Sequence, residues 1–331
     1  MAKSLRPLSG RVVAVTGAAR GIGRATAALL VAHGARVAIG DIDAELARRT
    51  ASELGALGLE LDVTDRSSFE SFLRDVEARL GPLDVLVNNA GIMPVGPFVA
   101  ETDSTAGRIV DINLNGVILG SKLALERFRA RGRGHLVNVA SVAGKGGFPG
   151  GATYCATKHA VVGLSEAIRA EMRGTGIDVS IVMPVVVNTE LGSGLRRSRI
   201  RVVEPEDVAQ AIVEALQTGR VDVYVPRSVG ALFRVMPITP RPLADRLVHL
   251  LGGDRVLVDP DPGARAAYSR RVAPVEPSSA TAAPASAAPA SGSASAAPAS
   301  GSASAAPAAG SASAAVAAPP AANRPEPIAS S

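Results

Sequence analysis

Val12-Val13-Ala14-Val15-Thr16-Gly17-Ala18-Ala19-Arg20-Gly21-Ile22-Gly23 is the stretch on which the fold turns. Its first four residues are apolar and three of them are β-branched, the composition of a strand covered on both faces. Three glycines then let the backbone turn tightly, and an Ala- and Leu-rich segment of helical character runs to His33, where Gly34 stops it. Outward from this unit the alternation repeats. Strands are expected at 36–40, 59–61, 85–87, 135–139, 179–183 and 222–225, with helices to about 54 and at 66–80, 104–130, 152–173 and 205–217. About seven strands alternating with helices specify right-handed crossovers and a single α/β domain built on a doubly wound parallel sheet.

Composition bounds what surrounds that sheet. Of the 58 residues 274–331, 24 are Ala, 13 Ser and 10 Pro, and only Glu276, Arg324 and Glu326 are charged. Such a segment cannot bury a core, and its nine-residue period, with Pro289, Pro298 and Pro307 in register, reads as a disordered spacer. The expected organisation is therefore an α/β domain at 1–228, a short helical extension at 229–273 and a disordered Ala/Pro/Ser-rich tail at 274–331. In the extension Leu243, Leu247, Leu250 and Leu251 mark one helical face that ends at Gly252-Gly253. A helix packed on the domain or on a partner subunit is one reading. Arg234, Arg241, Arg246 and Arg255 keep a peripheral membrane contact open as another.

The 34 basic and 28 acidic residues before Pro274 are spread along the chain, so no nucleic-acid footprint stands out. One cysteine, Cys155, excludes an internal disulfide, and His33, His135, His159 and His249 lack metal-ligand spacing, so no metal is expected. The N-terminus shows no signal-peptide pattern, and a cytoplasmic protein is expected.

Two ends of a site can be read from the residues. Gly17, Gly21 and Gly23 at the first strand-to-helix turn suit a pyrophosphate at a helix N-terminus, although the spacing is G-x3-G-x-G. Asp41, closing the second strand, would accept from both adenosine ribose hydroxyls and repel a 2′-phosphate, which favours NAD over NADP. Asp41 or Asp43 would equally serve as a helix N-cap, and Arg20 in the turn would suit a 2′-phosphate. At the other end Ser141 is followed thirteen residues on by Tyr154 and four further by Lys158. Residues i and i+4 share a helix face, so a cation stands beside a phenol and favours the phenolate, moving the tyrosine toward proton exchange near neutral pH.

Thr16-Gly17-x3-Gly21-x-Gly23, Asn88-Asn89-Ala90-Gly91, Asn113, Ser141, the Tyr154-x3-Lys158 pair and the run 184–189 occur in the order and approximate spacing of the short-chain dehydrogenase/reductase family, which the chain resembles from residue 10 to about 226. The resemblance implies a Rossmann-type domain and an NAD(P)-dependent oxidoreductase acting on a carbonyl or secondary alcohol. It makes Tyr154 the acid/base, Ser141 the holder of the reacting oxygen, Lys158 the partner of Tyr154 and of the nicotinamide ribose, and Asn113 the holder of a water. Cofactor contacts are implied for Gly17, Arg20, Gly21, Ile22, Gly23, Asp41, Asp62, Val63, Asn89, Ala90, Gly91, Pro184, Val187 and Thr189. Quieter roles compete: Asn113 bonding backbone, Asp62 or Thr189 capping a helix. Val185 stands where the family usually has Gly after Pro, which narrows the backbone choices there.

The cleft walls expected at 93–98, 143–151 and from 191 are mostly apolar, suiting a hydrophobic ketone or alcohol, while Lys145 and Arg196 to Arg201 would suit an acidic group. A homodimer or homotetramer is implied through the helices that carry Asn113 and Tyr154. The competing function is a non-catalytic dinucleotide-binding regulator or scaffold.

Overall fold

The computed structural model describes residues 5–195, 202–250, 252, 256–258 and 260–273. The tail at 274–331 and Arg196 to Arg201 lie outside the described residues, as do Leu251, Gly253 and Arg255. The elements run β1 (Val12–Thr16), α1 (Gly21–Ala32), β2 (Arg36–Asp41), α2 (Ala44–Leu54), β3 (Leu57–Glu60), α3 (Arg66–Leu80), β4 (Val85–Asn88), α4 (Asp103–Val110), α5 (Gly116–Arg131), β5 (Gly134–Val139), α6 (Ala152–Glu171), β6 (Ile177–Pro184), α7 (Pro205–Thr218), β7 (Asp222–Val225), α8 (Val229–Val235), α9 (Arg241–Leu250) and α10 (Pro262–Val272).

The seven strands form the expected doubly wound sheet in the order β3-β2-β1-β4-β5-β6-β7, every neighbouring pair parallel. Alternation of side chains explains the unbroken apolar runs. Val13 and Val15 of β1 join one core cluster with Leu30 of α1, Ala47 of α2 and Ile212 of α7. Val12 and Ala14 join the other with Phe69 of α3, Leu123 of α5 and Ile168 of α6. The strand order reverses between β1 and β4, so the carboxyl ends of these two strands diverge into opposite crossovers. A crevice opens there, where doubly wound proteins bind ligands.

Two departures from the sequence reading matter for the site. The helix expected at 104–130 is interrupted by a π-helical turn at Asp111–Asn115, and that turn carries Asn113. The extension does not end with one helix: α10 follows, capped by Asp261, whose carboxylate accepts from the Gly263 and Ala264 amides, with Pro262 at the first helical position. The extension is continuous with the core. Phe233 of α8 is buried in the same cluster as β1, and Gly230 lies against Tyr224 of β7. No helix among the described residues is long and apolar enough to cross a membrane.

Candidate active site

A cavity of about 790 Å³ occupies the crevice, and every site residue named from the sequence lines it except Gly23 and Asn113. Its floor is built by locking β1 to β4. The Thr16 hydroxyl accepts from the Asn89 and Ala90 amides, both at 3.0 Å, and the Asn89 carboxamide donates to the Thr16 and Gly17 carbonyls at 2.9 and 3.0 Å. Gly17 has φ of 62°, and a Cβ there would meet the Ala90 Cα at 2.7 Å. Gly23 stands behind the turn, where a Cβ would strike the Ala18 Cα at 2.6 Å. The start of α1 has no side-chain cap and no acidic residue in its first turn, whereas α2 and α3 are capped by Asp43 and Asp65. Its amides therefore remain available for an anion.

The cap alternative for Asp41 is resolved by that assignment. Asp43 caps α2, and Asp41 accepts instead from the Ala19 amide at 3.1 Å and the Asp43 amide at 3.2 Å, fastening the glycine turn to the end of β2. Arg20 is held by Asp43 at 2.9 Å and Glu190 at 3.6 Å. Asp62 also caps no helix: it accepts from the Thr64 amide and hydroxyl at 2.9 and 2.7 Å. Past β6, Val185 extends the pairing with β7, its amide donating to the Val225 carbonyl at 2.9 Å, and Val187 bridges to Val203. The departure from glycine is thus absorbed by extended backbone. Thr189 starts a short 3-10 turn without a side-chain cap bond and leans over the glycine turn, its Cγ2 3.5 Å from the position a Gly21 Cβ would take.

At the chemical end, β5 delivers Ser141 and α6 presents Tyr154 and Lys158, all three buried. The Ser141 hydroxyl accepts from the Ala143 amide at 3.1 Å, and Lys158 Nζ donates to the Val139 carbonyl at 3.0 Å and lies 5.7 Å from the centre of the Tyr154 ring. Burial pushes the Tyr154 phenol up, opposed by the adjacent Ser141 hydroxyl, and the same burial lowers the Lys158 ammonium to about 8. Desolvation disfavours the charged form of each group. The Asn113 carboxamide is spent at both ends on Ile92, accepting from its amide and donating to its carbonyl at 2.8 Å. The carboxamide thereby fastens the chain after β4.

The walls also differ in part. Met93, Ala143, Phe148, Leu191 and Leu195 line the cavity as expected, but Phe98 is 66% exposed, and Lys145 is paired with Glu166 at 3.0 Å. Cys155 is buried and packs as a small apolar residue. The sequence reading missed Val256, Leu257, Tyr268 and Val272, which close the far side, and Arg265 behind them. An Asp-Pro helix start at 261–262 was the available signal for that segment.

Comparisons with known proteins agree with this geometry. The family model described as short chain dehydrogenase matches residues 11–199. Sorbitol dehydrogenase of Cereibacter sphaeroides is 40% identical over 191 residues, 57% of this chain and 75% of that one. The inactive 2-(S)-hydroxypropyl-CoM dehydrogenase 2 of Xanthobacter autotrophicus is 40% identical over 206 residues, 57% of this chain and 90% of that one. A short chain dehydrogenase/reductase structure from Burkholderia phymatum in complex with NAD shares the fold with a TM-score of 0.66 at 24% identity, covering 78% of this chain and 99% of that one. With the matched segment spanning the glycine turn, the serine and the tyrosine–lysine helix, the chain belongs to the short chain dehydrogenase family and is an oxidoreductase of that family.

Proposed function

We propose that this chain is an NAD-dependent oxidoreductase that interconverts an apolar ketone and its secondary alcohol, with Tyr154 as the proton donor and acceptor. The observation that carries this reading is the convergence of Ser141, Tyr154 and Lys158 on the same cavity as the uncapped start of α1 and the Asp41 carboxylate. The residues fit the dinucleotide. Gly17 lets the turn close against Ala90, the α1 amides suit the pyrophosphate, and Asp41 suits the adenosine ribose while opposing a 2′-phosphate. Arg20 does not restore NADP, because Asp43 and Glu190 already neutralise it. The relative crystallised with NAD supports the same choice.

The dinucleotide, which the glycine turn, Asp41 and Lys158 would hold, would supply hydride transfer to and from the carbonyl carbon. Tyr154, whose phenol burial keeps protonated, gives its proton to the carbonyl oxygen. Ser141 holds that oxygen beside the phenol. The Lys158 ammonium stabilises the tyrosinate that remains until a solvent proton replaces the one transferred. The apolar walls, formed by Met93, Phe148, Leu191 and Leu257, exclude water and favour a hydrophobic body on the substrate. Pairing of copies through α5 and α6 belongs to the same reading, supported by exposed Ala156, Gly163 and Ala167 on α6, small residues that permit close helix approach.

The test is the Tyr154→Phe variant, titrated with NADH and NADPH and assayed on a ketone panel. It should bind NADH as the parent does and about tenfold or more tighter than NADPH, while turnover falls by about 10²–10⁴. Near-parental turnover would remove the mechanism, and an NADPH preference would show that Arg20 outweighs Asp41.

A further inference from the structure

The phenol of Tyr268 has no part in the chemistry described above, although it is 4% exposed and lines the same cavity as Tyr154 and Ser141. Its oxygen accepts from the Met93 amide at 2.7 Å. Among the described residues, no protein group receives the hydrogen that this hydroxyl itself can donate. A phenol that lines a ligand cavity with donating capacity to spare is available to an acceptor bound there.

Everything around this hydroxyl holds it in place. Arg265, one turn earlier on α10, is buried, stacks 4.7 Å from the Tyr268 ring, and donates to the carbonyls of Leu191, Ser193 and Met93. The Ser193 hydroxyl donates to the Ala264 carbonyl at 2.6 Å, and the Asp261 amide to Gly194 at 2.8 Å. Arg271 pairs with Glu190. α10 thereby grips both loops that wall the cleft, the one after β4 at Met93 and the one after β6 at 190–194. Among the described residues the Arg265 cation has no carboxylate partner, and it lies over the adjacent phenol ring, where its charge opposes the upward push of burial on the hydroxyl. Leu191, Val256, Leu257 and Val272 give this end of the cavity an apolar lining, with Arg271 against the Tyr268 ring and paired with Glu190, and Arg108 on the same cavity.

We infer that Tyr268 is a specificity-determining residue that donates its hydroxyl hydrogen to a second oxygen on the substrate, so that the preferred substrates are apolar ketones or secondary alcohols carrying a further oxygen acceptor away from the reacting carbon. This rests on the oxidoreductase reading and adds a second point of attachment to it. Tyr154 and Ser141 hold the reacting oxygen, Tyr268 the other, and two attachments fix which face of the carbonyl meets the cofactor.

The experiment compares the parent, Tyr268→Phe and Ser193→Ala in NADH-dependent reduction of octan-2-one and of hydroxyoctan-2-ones with the hydroxyl at each further carbon in turn. The parent should reduce at least one hydroxyketone with kcat/KM about tenfold above that of octan-2-one, the worth of one neutral hydrogen bond. Tyr268→Phe should bring that ratio to about one, chiefly through KM. Ser193→Ala removes a tie to α10 outside the cavity but leaves the hydroxyl, and should keep the ratio. A parent with no preference at any position overturns the inference, as does a preference that survives in Tyr268→Phe or disappears equally in Ser193→Ala. If no ketone is reduced by any variant, the oxidoreductase reading fails. The role of Tyr268 is then decided by isothermal titration of the same hydroxyketones into NADH-saturated protein: about tenfold weaker binding to Tyr268→Phe supports it, and equal or absent binding overturns it.

Discussion

Tyr154 and Lys158 are buried together, and burial acts on them in opposite directions because one is charged when protonated and the other when deprotonated. The phenol is pushed up and holds its proton; the ammonium is lowered to about 8 and loses its charge as pH rises through that value. The sign of the pH dependence follows. Ketone reduction needs the tyrosine protonated and the lysine charged, both of which hold below about 8, so the rate should be level at pH 6–7 and decline as the medium becomes more alkaline than about 8. Lys158→Arg keeps a cation at every accessible pH and should abolish the decline. Stopped-flow or steady-state profiles of both proteins check this; a rate that climbs through pH 8, or a decline that persists in Lys158→Arg, would contradict it. These residues were legible in the sequence because their spacing alone places them on one helix face. Their protonation was not, because it depends on how completely the surrounding chain excludes water, which spacing does not report. Asp41 and Asp43 show the same limit, since either carboxylate suits a cap and only the fold shows Asp43 taking that role.

At the scale of elements, strands and crossovers were readable because an apolar β-branched run and a 3.6-residue period leave distinct patterns. The π turn at 111–115 was not, because one extra residue in a long helix hardly disturbs that period. α10 escaped for a different reason: of its three buried residues, Arg265, Tyr268 and Val272, the first is charged. A helix that packs by offering a guanidinium to carbonyls looks polar all round. Arg265→Met keeps much of the volume but leaves the Leu191, Ser193 and Met93 carbonyls without their donor. It should lower the unfolding free energy by about 2–4 kcal/mol and speed amide exchange in 191–194, as read by urea denaturation and hydrogen exchange. Unchanged stability with unchanged exchange would show that α10 does not anchor the loop.

Across the whole molecule, the doubly wound sheet places four strand ends, those of β1, β4, β5 and β6, around one crevice, and each delivers a different component. β1 brings the glycine turn, β4 the Asn89-Ala90 lock, β5 Ser141 and β6 the loop that α10 grips. Burial on both faces of the sheet makes the strand ends rigid, which is what a hydride transfer between two bound molecules requires. The direct measurement is isotopic. The protein is incubated with NADH deuterated at nicotinamide C4 and a panel of apolar ketones, and the products are examined by mass spectrometry and NMR. Deuterium on the carbinol carbon of the alcohol formed is the expected result; saturable NADH binding without deuterium in any product would contradict hydride transfer by this chain.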